Sequence, residues 1–338
     1  MTTDSGRPTG RVLRLDRVTH GRMQGLDRAH TLVMAVMSPI EVHGPHLPLG
    51  QDLMEAYALS ERVLENVAAR RPAWHFVLLP PVPVAADCVP QLGSVTFPVF
   101  VVRDVAYHLL KPFAVHGFAR LAFTSFHGGP RHNCALEAAA ERLAREHDTV
   151  GVLPVFSAVI RQAMEGRLFF EGIEHTPGRE ITLEQIKQDH HAGFVETSLG
   201  LHLWPDLVED GWASLRPEVP AVQEGARHQQ HFLYGGEDPS GLVGRAQRVM
   251  GRVQAMARSA RHFRGCTYRG YPALASAEQG RDMFEHLVGV AEAVVEEFLD
   301  RGREMDIHSP LWEFRKLLMS PTVNKVFDDW LGVYTDKG

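Results

Sequence analysis

The sequence predicts an α/β fold built on a mostly parallel sheet, and three observations carry that reading. Apolar runs of strand length alternate with longer stretches of helical periodicity. The clearest run, Thr31-Leu-Val-Met-Ala-Val-Met-Ser38, is continuous rather than alternating, as in strands covered on both faces. Loops rich in Gly and Pro then follow the runs at their carboxyl ends, where open α/β sheets gather their ligands.

Taken in order, residues 1–11 are polar with Gly and Pro and read as a flexible N-terminal tail. The Thr31–Ser38 strand leads into a loop from Pro39 to Gln51. Asp52 opens a helix to about Arg70, with Leu53, Ala56, Leu59, Val63 and Val67 on one face. An acidic residue suits that position because it complements the unpaired N–H groups of the first turn. His75–Leu79 is a second strand, and a helix over Phe100–His116 carries a kink or break at Pro112. Phe118–Phe126 is a third strand ending in His127-Gly128-Gly129. A helix over Arg131–Glu146 and a fourth strand over Val150–Phe156 complete the alternation. Residues 157–189 are mixed and polar, and read as a lid or insertion. A helical segment begins within His191–Leu203, and long helices are expected near Leu242–Arg261 and Ala277–Arg301. Short amphipathic helices are expected between His308 and Trp330.

Bulk properties exclude several classes. A chain of 338 residues can bury a sizeable core, and 44% apolar with 22% charged residues is ordinary for a globular protein. A net charge of −6 argues against a nucleic-acid partner. No apolar run approaches the ~18 residues of a membrane span, and the N-terminus lacks a signal-peptide core. Cys88, Cys134 and Cys266 lie far apart and are odd in number, which fits a reducing cytoplasm rather than a disulfide framework. The unusual count is nineteen His, which directs attention to clusters.

Three clusters carry candidate chemistry. Glu41-Val-His43-Gly-Pro-His46-Leu-Pro-Leu-Gly-Gln-Asp52 places two ligand types two residues apart, on one side of an extended segment, with Asp52 beyond a Pro/Gly loop that can fold it back. Carboxylate and imidazole donors suit Zn, Mn or Fe, and a carboxylate can bridge two ions. Ser125-Phe-His127-Gly-Gly129 ends a strand, and its glycines permit close backbone approach to an ion or substrate. In Asp189-His190-His191-Ala-Gly193-Phe-Val-Glu196-Thr-Ser198, His191 and Glu196 would stand about 140° apart on a continuous helix. Both can serve one site only if His191 lies in a turn and Glu196 in the first helical turn. Each cluster alone also has a bland reading, as loop surface, tight turn or helix cap.

Together and in this order, the clusters resemble the creatininase (creatinine amidohydrolase) family. Its E-x-H-G-P-H-L-P segment followed by Asp, its N-G-H motif after a strand and its H-A-G-x-x-E-T-S motif correspond to Glu41–Pro48 with Asp52, to Ser125-Phe126-His127 and to His191–Ser198. Leu92-Gly93-Ser94-Val95-Thr96 is similar to the family's G-T/S-x-S/T loop. The resemblance spans roughly residues 30–260. It implies a three-layer αβα domain over residues 12–265, with 266–338 a mainly helical extension packed on the domain or on a neighbouring subunit. It also implies a homo-oligomer, with a hexamer one candidate state, and two divalent ions (Zn, Mn or Fe).

By motif matching, Glu41, His43, Asp52 and His127 fall on metal positions with Asp52 the bridge, and His191 falls on the catalytic histidine. Glu196 is a metal ligand or stands behind one, while Ser94, Gly128 and Gly129 are expected to face substrate. The implied reaction is hydrolysis of a small molecule's C–N amide bond, cyclic amides included, by a metal-activated water, with His191 moving the proton. The chain also departs from the pattern. Gly129 stands where creatininase carries a metal-binding Glu, so that role passes to Glu196 or one ion is held weakly; Phe126 and Pro130 replace a Gly and a common Asn. Residues 157–189 contain only Phe169 and Phe170 as aromatics, without the tryptophans that enclose creatinine, so the expected substrate is not creatinine. The alternatives are C–C cleavage of a cyclic ketone on the same scaffold and a non-catalytic metal-stabilised binding protein.

Overall fold

The computed structural model describes residues 12–164, 180–219, 258 and 261–331. Among them, five parallel strands form one sheet in the order β1-β3-β2-β4-β5: β1 (Val12–Arg14), β2 (Thr31–Val36), β3 (His75–Leu78), β4 (Arg120–Thr124) and β5 (Gly151–Pro154). The expected strands correspond to β2–β5, with β2 and β3 shorter at their carboxyl ends and β4 and β5 shorter at both ends. The edge strand β1 was not expected, because three residues are too few to display a period.

The helices are α1 (His20–Gln24), α2 (Gln51–Arg70), α3 (Val99–Val115), α4 (Pro130–Glu146), α5 (Val155–Met164), α6 (Leu183–Gln188), α7 (Phe194–Leu203), α8 (Ala277–Arg301), α9 (Arg315–Leu318) and α10 (Pro321–Leu331). Pro112 sits inside α3 without ending it before its last turn. The expected helix at Leu242–Arg261 falls almost wholly outside the described residues, as do Phe169, Phe170 and the tail 1–11. No described helix is long and apolar enough to cross a membrane.

Layering follows from the alternation of side chains across buried strands. Leu32, Met34, Val36, Phe76, Leu78, Ala122 and Leu153 point to one face, where α2, α5, α7 and α8 supply Leu59, Val63, Val159, Phe194, Leu287 and Phe298. Val33, Ala35, Val77, Leu121, Phe123 and Val152 point to the other, against Val102, Ala106 and Leu110 of α3 and Leu136, Ala139 and Leu143 of α4. The result is a three-layer αβα arrangement. All six residues of β2 are buried, which is why its sequence is an unbroken apolar run.

Two features of this frame position the site. Strand β2 is followed by β3 on one side and β4 on the other, so the chain reverses direction across the sheet at β2, and the crevice at that switch point faces the carboxyl ends. The crevice floor is pinned by Met37 N–H donating to Thr124 O (2.9 Å) and Phe126 N–H donating to Ser38 Oγ (3.0 Å). Helix α8 then lies along α2 and across α7. Gly280 lets it do so, since a Cβ there would collide with the Ser198 backbone of α7. On the outer side, Arg62, Arg70 and Arg71 of α2 pair with Glu285, Glu292, Glu296 and Asp300 of α8 in ascending order, so the two helices run parallel.

Candidate metal centre

The loop after β2 carries Glu41 and His43 into the crevice and turns back into α2, whose first turn presents Asp52. Gly44, at φ 64°, makes the turn after His43 that an L side chain would resist. The loop after β4 brings in His127, and the turn before α7 brings in His191 and Glu196. Glu41, His43 and Asp52 are almost fully buried, and His127 nearly so.

Asp52 is the centre of the arrangement. Its Oδ1 lies 3.0 Å from His43 Nε2, and its Oδ2 lies 3.0 Å from His127 Nδ1. Each imidazole commits its other nitrogen to the main chain: His43 Nδ1–H donates to Glu41 O (2.9 Å), and His127 Nε2–H donates to Ala86 O (2.9 Å). Such a bond fixes tautomer and ring orientation, and leaves the second nitrogen as a donor aimed inward. Glu41 and Glu196 complete one side each. Glu41 Oε1 accepts from Val89 N–H (2.6 Å), while its buried Oε2 makes no hydrogen bond and lies 3.2 Å from His127 Nδ1. Glu196 Oε2 lies 3.6 Å from His43 Nε2 and accepts from Ala192 N–H.

Electrostatics reflect this crowding. Burial opposes a charged His43, but Asp52, Glu196 and Glu41 outweigh it and raise its pKa to about 10. Burial likewise opposes a charged His127, and Glu41 and Asp52 hold its pKa well above the ordinary value. For Asp52, burial pushes upward but the two imidazoles win, leaving it below the usual carboxylate range. Burial raises Glu196 despite His43 and His191. Two buried carboxylates, the partly exposed Glu196 and two buried imidazoles, with one Glu41 oxygen that makes no hydrogen bond, are the chemistry of a divalent-cation site. Groups able to hold an ion occur at His43, Asp52 and Glu196; at Glu41, His43 and His191; and at Glu41, Cys88 and His127.

The structure therefore gathers Glu41, His43, Asp52, His127, Glu196 and His191 in one crevice. His191 lies in a turn and Glu196 in the first turn of α7, the arrangement that a shared site requires. Asp189 caps that turn, accepting from Phe194 N–H (2.7 Å) and Val195 N–H (3.1 Å). His191 Nε2–H donates to Val42 O (2.7 Å), and its ring centre is 4.3 Å from that of His43. Ser94 Oγ accepts from Val42 N–H (3.0 Å) and so holds the backbone between Glu41 and His43. Gly128 is exposed with open space around it. At Gly129 a Cβ would stand 2.5 Å from His127 Nε2 and 2.8 Å from Asp87 Cβ. His46 instead bonds Thr197 Oγ1 through Nε2 (2.8 Å), tying the first motif to α7.

Sequence reasoning missed three groups. Asp87 and Cys88 come from the loop after β3, and Asp87 has φ 69°. Asp87 accepts from Arg131 N–H (2.6 Å) and pairs with the Arg131 guanidinium, which also meets Asp328 of α10 at 2.7 Å. Buried Glu55, one turn beyond Asp52, accepts from Gln51 Nε2 (2.7 Å); burial first, then Glu196 and Asp52, hold its carboxyl well above the ordinary range. The available signal was position: the loop after β3 opens on the same crevice, and Glu55 shares a helix face with Asp52. The left-handed non-glycine residues among those described, Asp87 and Ala192 (φ 49°), both flank the site, where strain tends to concentrate.

Comparisons with known proteins agree with the fold. A search of curated proteins returned no match. Among solved structures, a manganese creatininase superposes with a TM-score of 0.56 at 19% identity, covering 85% of this chain and 99% of its own. A Bacteroides fragilis NCTC 9343 protein provisionally named a creatinine amidohydrolase gives 0.55 at 19% identity, covering 88% and 98%. A creatininase variant of Zn–Zn type gives 0.52 at 19% identity, covering 84% and 98%. The sequence model of the family described as creatinine amidohydrolase matches residues 16–295, into α8 and beyond the expected 30–260. With that match over most of its length, the chain belongs to the creatininase family of amidohydrolases.

Proposed function

We propose that this chain is a metal-dependent amidohydrolase that cleaves a C–N amide bond of a small molecule, cyclic amides included, other than creatinine. The observation that carries the reading is the pair of imidazoles aimed at opposite oxygens of Asp52, each with its other nitrogen tied to a main-chain carbonyl. In this reading His43, Asp52 and Glu196 would hold one divalent ion, and His127, Glu41 and Asp52 would hold the other, Asp52 serving both. Glu41 Oε2, which faces His127 and makes no hydrogen bond, fits such a demand. When bound, the ions would acidify a water and polarise the substrate carbonyl. Gly129, without a carboxylate, leaves Glu196 to complete the first set.

The protein's own groups supply the remaining chemistry. His191 Nε2–H is committed to Val42 O, so Nδ1 is the atom that takes a proton from the attacking water and returns it to the departing nitrogen. Neutral His46, its pKa pulled to about 4 by burial and by the charges of His43 and His191, positions α7 without competing for that proton. Ser94 keeps the Glu41–His43 segment in place. The choice against creatinine rests on residues 157–189, whose aromatics are only Phe169 and Phe170.

The test begins with protein stripped by chelator and reloaded with Zn, Mn or Fe, then screened on lactams, formamides and cyclic ureas. Expected is hydrolysis that chelator abolishes and a divalent ion restores. His191→Ala should lower turnover by about 10²-fold or more at unchanged metal content; loss of metal in that variant would make His191 a ligand instead. Silence with every metal would favour a binding protein, and ring opening without nitrogen release would favour C–C cleavage.

A further inference from the structure

A second group of soft and borderline donors lies outside the crevice. Glu218, His262 and Cys266 each offer a ligand atom within 4.8 Å of the others, and they share no residue with the centre around Asp52. Two are in a tight turn, where Gly265 and Cys266 N–H both donate to His262 O (3.1 Å each). The third is brought alongside by reciprocal main-chain bonds, Glu218 N–H to Gly270 O (3.0 Å) and Gly270 N–H to Glu218 O (2.9 Å). All three side chains are partly exposed, so an ion can enter from solvent. His262 shows the same preparation as His43 and His127. Its Nε2–H donates to Tyr268 O (3.0 Å), which fixes the tautomer and frees Nδ1. Cys266 Sγ lies 3.6 Å from Glu218 Oε1.

We propose that Glu218, His262 and Cys266 form a separate binding site for a thiophilic divalent cation of the zinc class. One sulfur, one imidazole and one carboxylate are a donor set that zinc accepts, with a water in the fourth position. Hard cations such as magnesium disfavour sulfur. The site's location gives it a consequence. The segment it would pin is strapped to the crevice on two sides: Thr267 O accepts from Gly44 N–H (2.7 Å), and Arg269 N–H donates to His191 O (2.7 Å). Phe263, beside His262, sets its ring against that of His191 with centres 5.3 Å apart. An ion here would hold the wall that carries His191 while touching none of the residues around Asp52.

The test is alkylation of Cys266 in the full chain by iodoacetamide, followed by peptide mass spectrometry, with buried Cys134, which lies in no candidate metal group, as internal reference. Zinc should slow labelling of Cys266 by about ten-fold, and magnesium should leave the rate unchanged. Equal rates with and without zinc would overturn the proposal. Protection by zinc should disappear in His262→Ala, or in Glu218→Gln should the first variant misfold by circular dichroism. Protection that survives in a folded variant would mean that zinc acts through the crevice alone, and would equally overturn it. Cobalt substitution gives an independent readout: a near-ultraviolet sulfur-to-metal band present in the wild type and absent from Cys266→Ser.

Discussion

At the scale of single residues, Gly129 explains how His127 can turn its Nε2–H to the Ala86 carbonyl. The space a Cβ would fill is occupied by that ring and by Asp87, while the backbone φ of −57° is one that any residue adopts. The requirement is therefore for room, not for conformational freedom. Gly129→Ala should cost about 1–3 kcal/mol by overpacking and loosen metal retention, both read from urea unfolding and metal analysis of one preparation. Wild-type stability in that variant would show that the ring gives way freely. This residue also illustrates a limit of motif reading. The space a Cβ would enter at Gly129 holds the His127 ring and the Asp87 methylene, a constraint of packing that motif reading does not reveal.

At the scale of elements, α3 and α4 are joined by a polar clasp at the rim of their apolar contact. The buried Tyr107 hydroxyl donates to Glu146, Arg142 Nε donates to the same carboxylate at 2.9 Å, and the Arg142 guanidinium lies 3.8 Å from the centre of the Tyr107 ring. The Tyr107 hydrogen bond first, then Arg142, lower the Glu146 pKa from 4.5 to about 2. A carboxyl depressed in the folded state stabilises above its unfolded pKa and loses that contribution as pH falls through the folded value. Wild-type thermal stability should therefore fall between pH about 4.5 and 2 more steeply than that of Glu146→Gln. Parallel acid limbs in the two proteins would place the clasp's contribution elsewhere. The clasp was not legible in the sequence. Arg142 and Glu146 are an ordinary i, i+4 pair, and only the docking of α3 adds Tyr107.

Across the whole molecule, the three layers converge on one crevice that concentrates charge. Two buried carboxylates, the partly exposed Glu196 and two buried imidazoles there are a local cost that bound cations would relieve, so metal should stabilise the entire fold. One ion at a hundred times its dissociation constant contributes about 2.7 kcal/mol. That corresponds to a rise of roughly 4 °C per ion in thermal midpoint on adding Mn or Zn to stripped protein. An unchanged midpoint in calorimetry would argue that the crevice holds no ion. The outer Arg–carboxylate ladder between α2 and α8 is solvent-exposed and contributes little beside this, on the order of 0–1 kcal/mol per pair.

The sequence by itself determined the α/β class, four of the five described strands and the long helices α2, α3, α4 and α8, because continuous apolar runs and helical periods are local properties. It also determined which motifs to inspect, since Glu41, His43 and Asp52 lie within one short segment. Tertiary structure alone decided the rest. Whether His191 and Glu196 meet depended on a left-handed turn at Ala192, and the strap to Arg269 joins residues far apart in sequence. Asp87 and Cys88 join the crevice only because β3 lies beside β2, and Glu55 because α2 starts at that end of the sheet. The orientation of each imidazole rests on carbonyls of the chain, Glu41 O and Ala86 O, and the second of these comes from a loop that no spacing rule connects to His127.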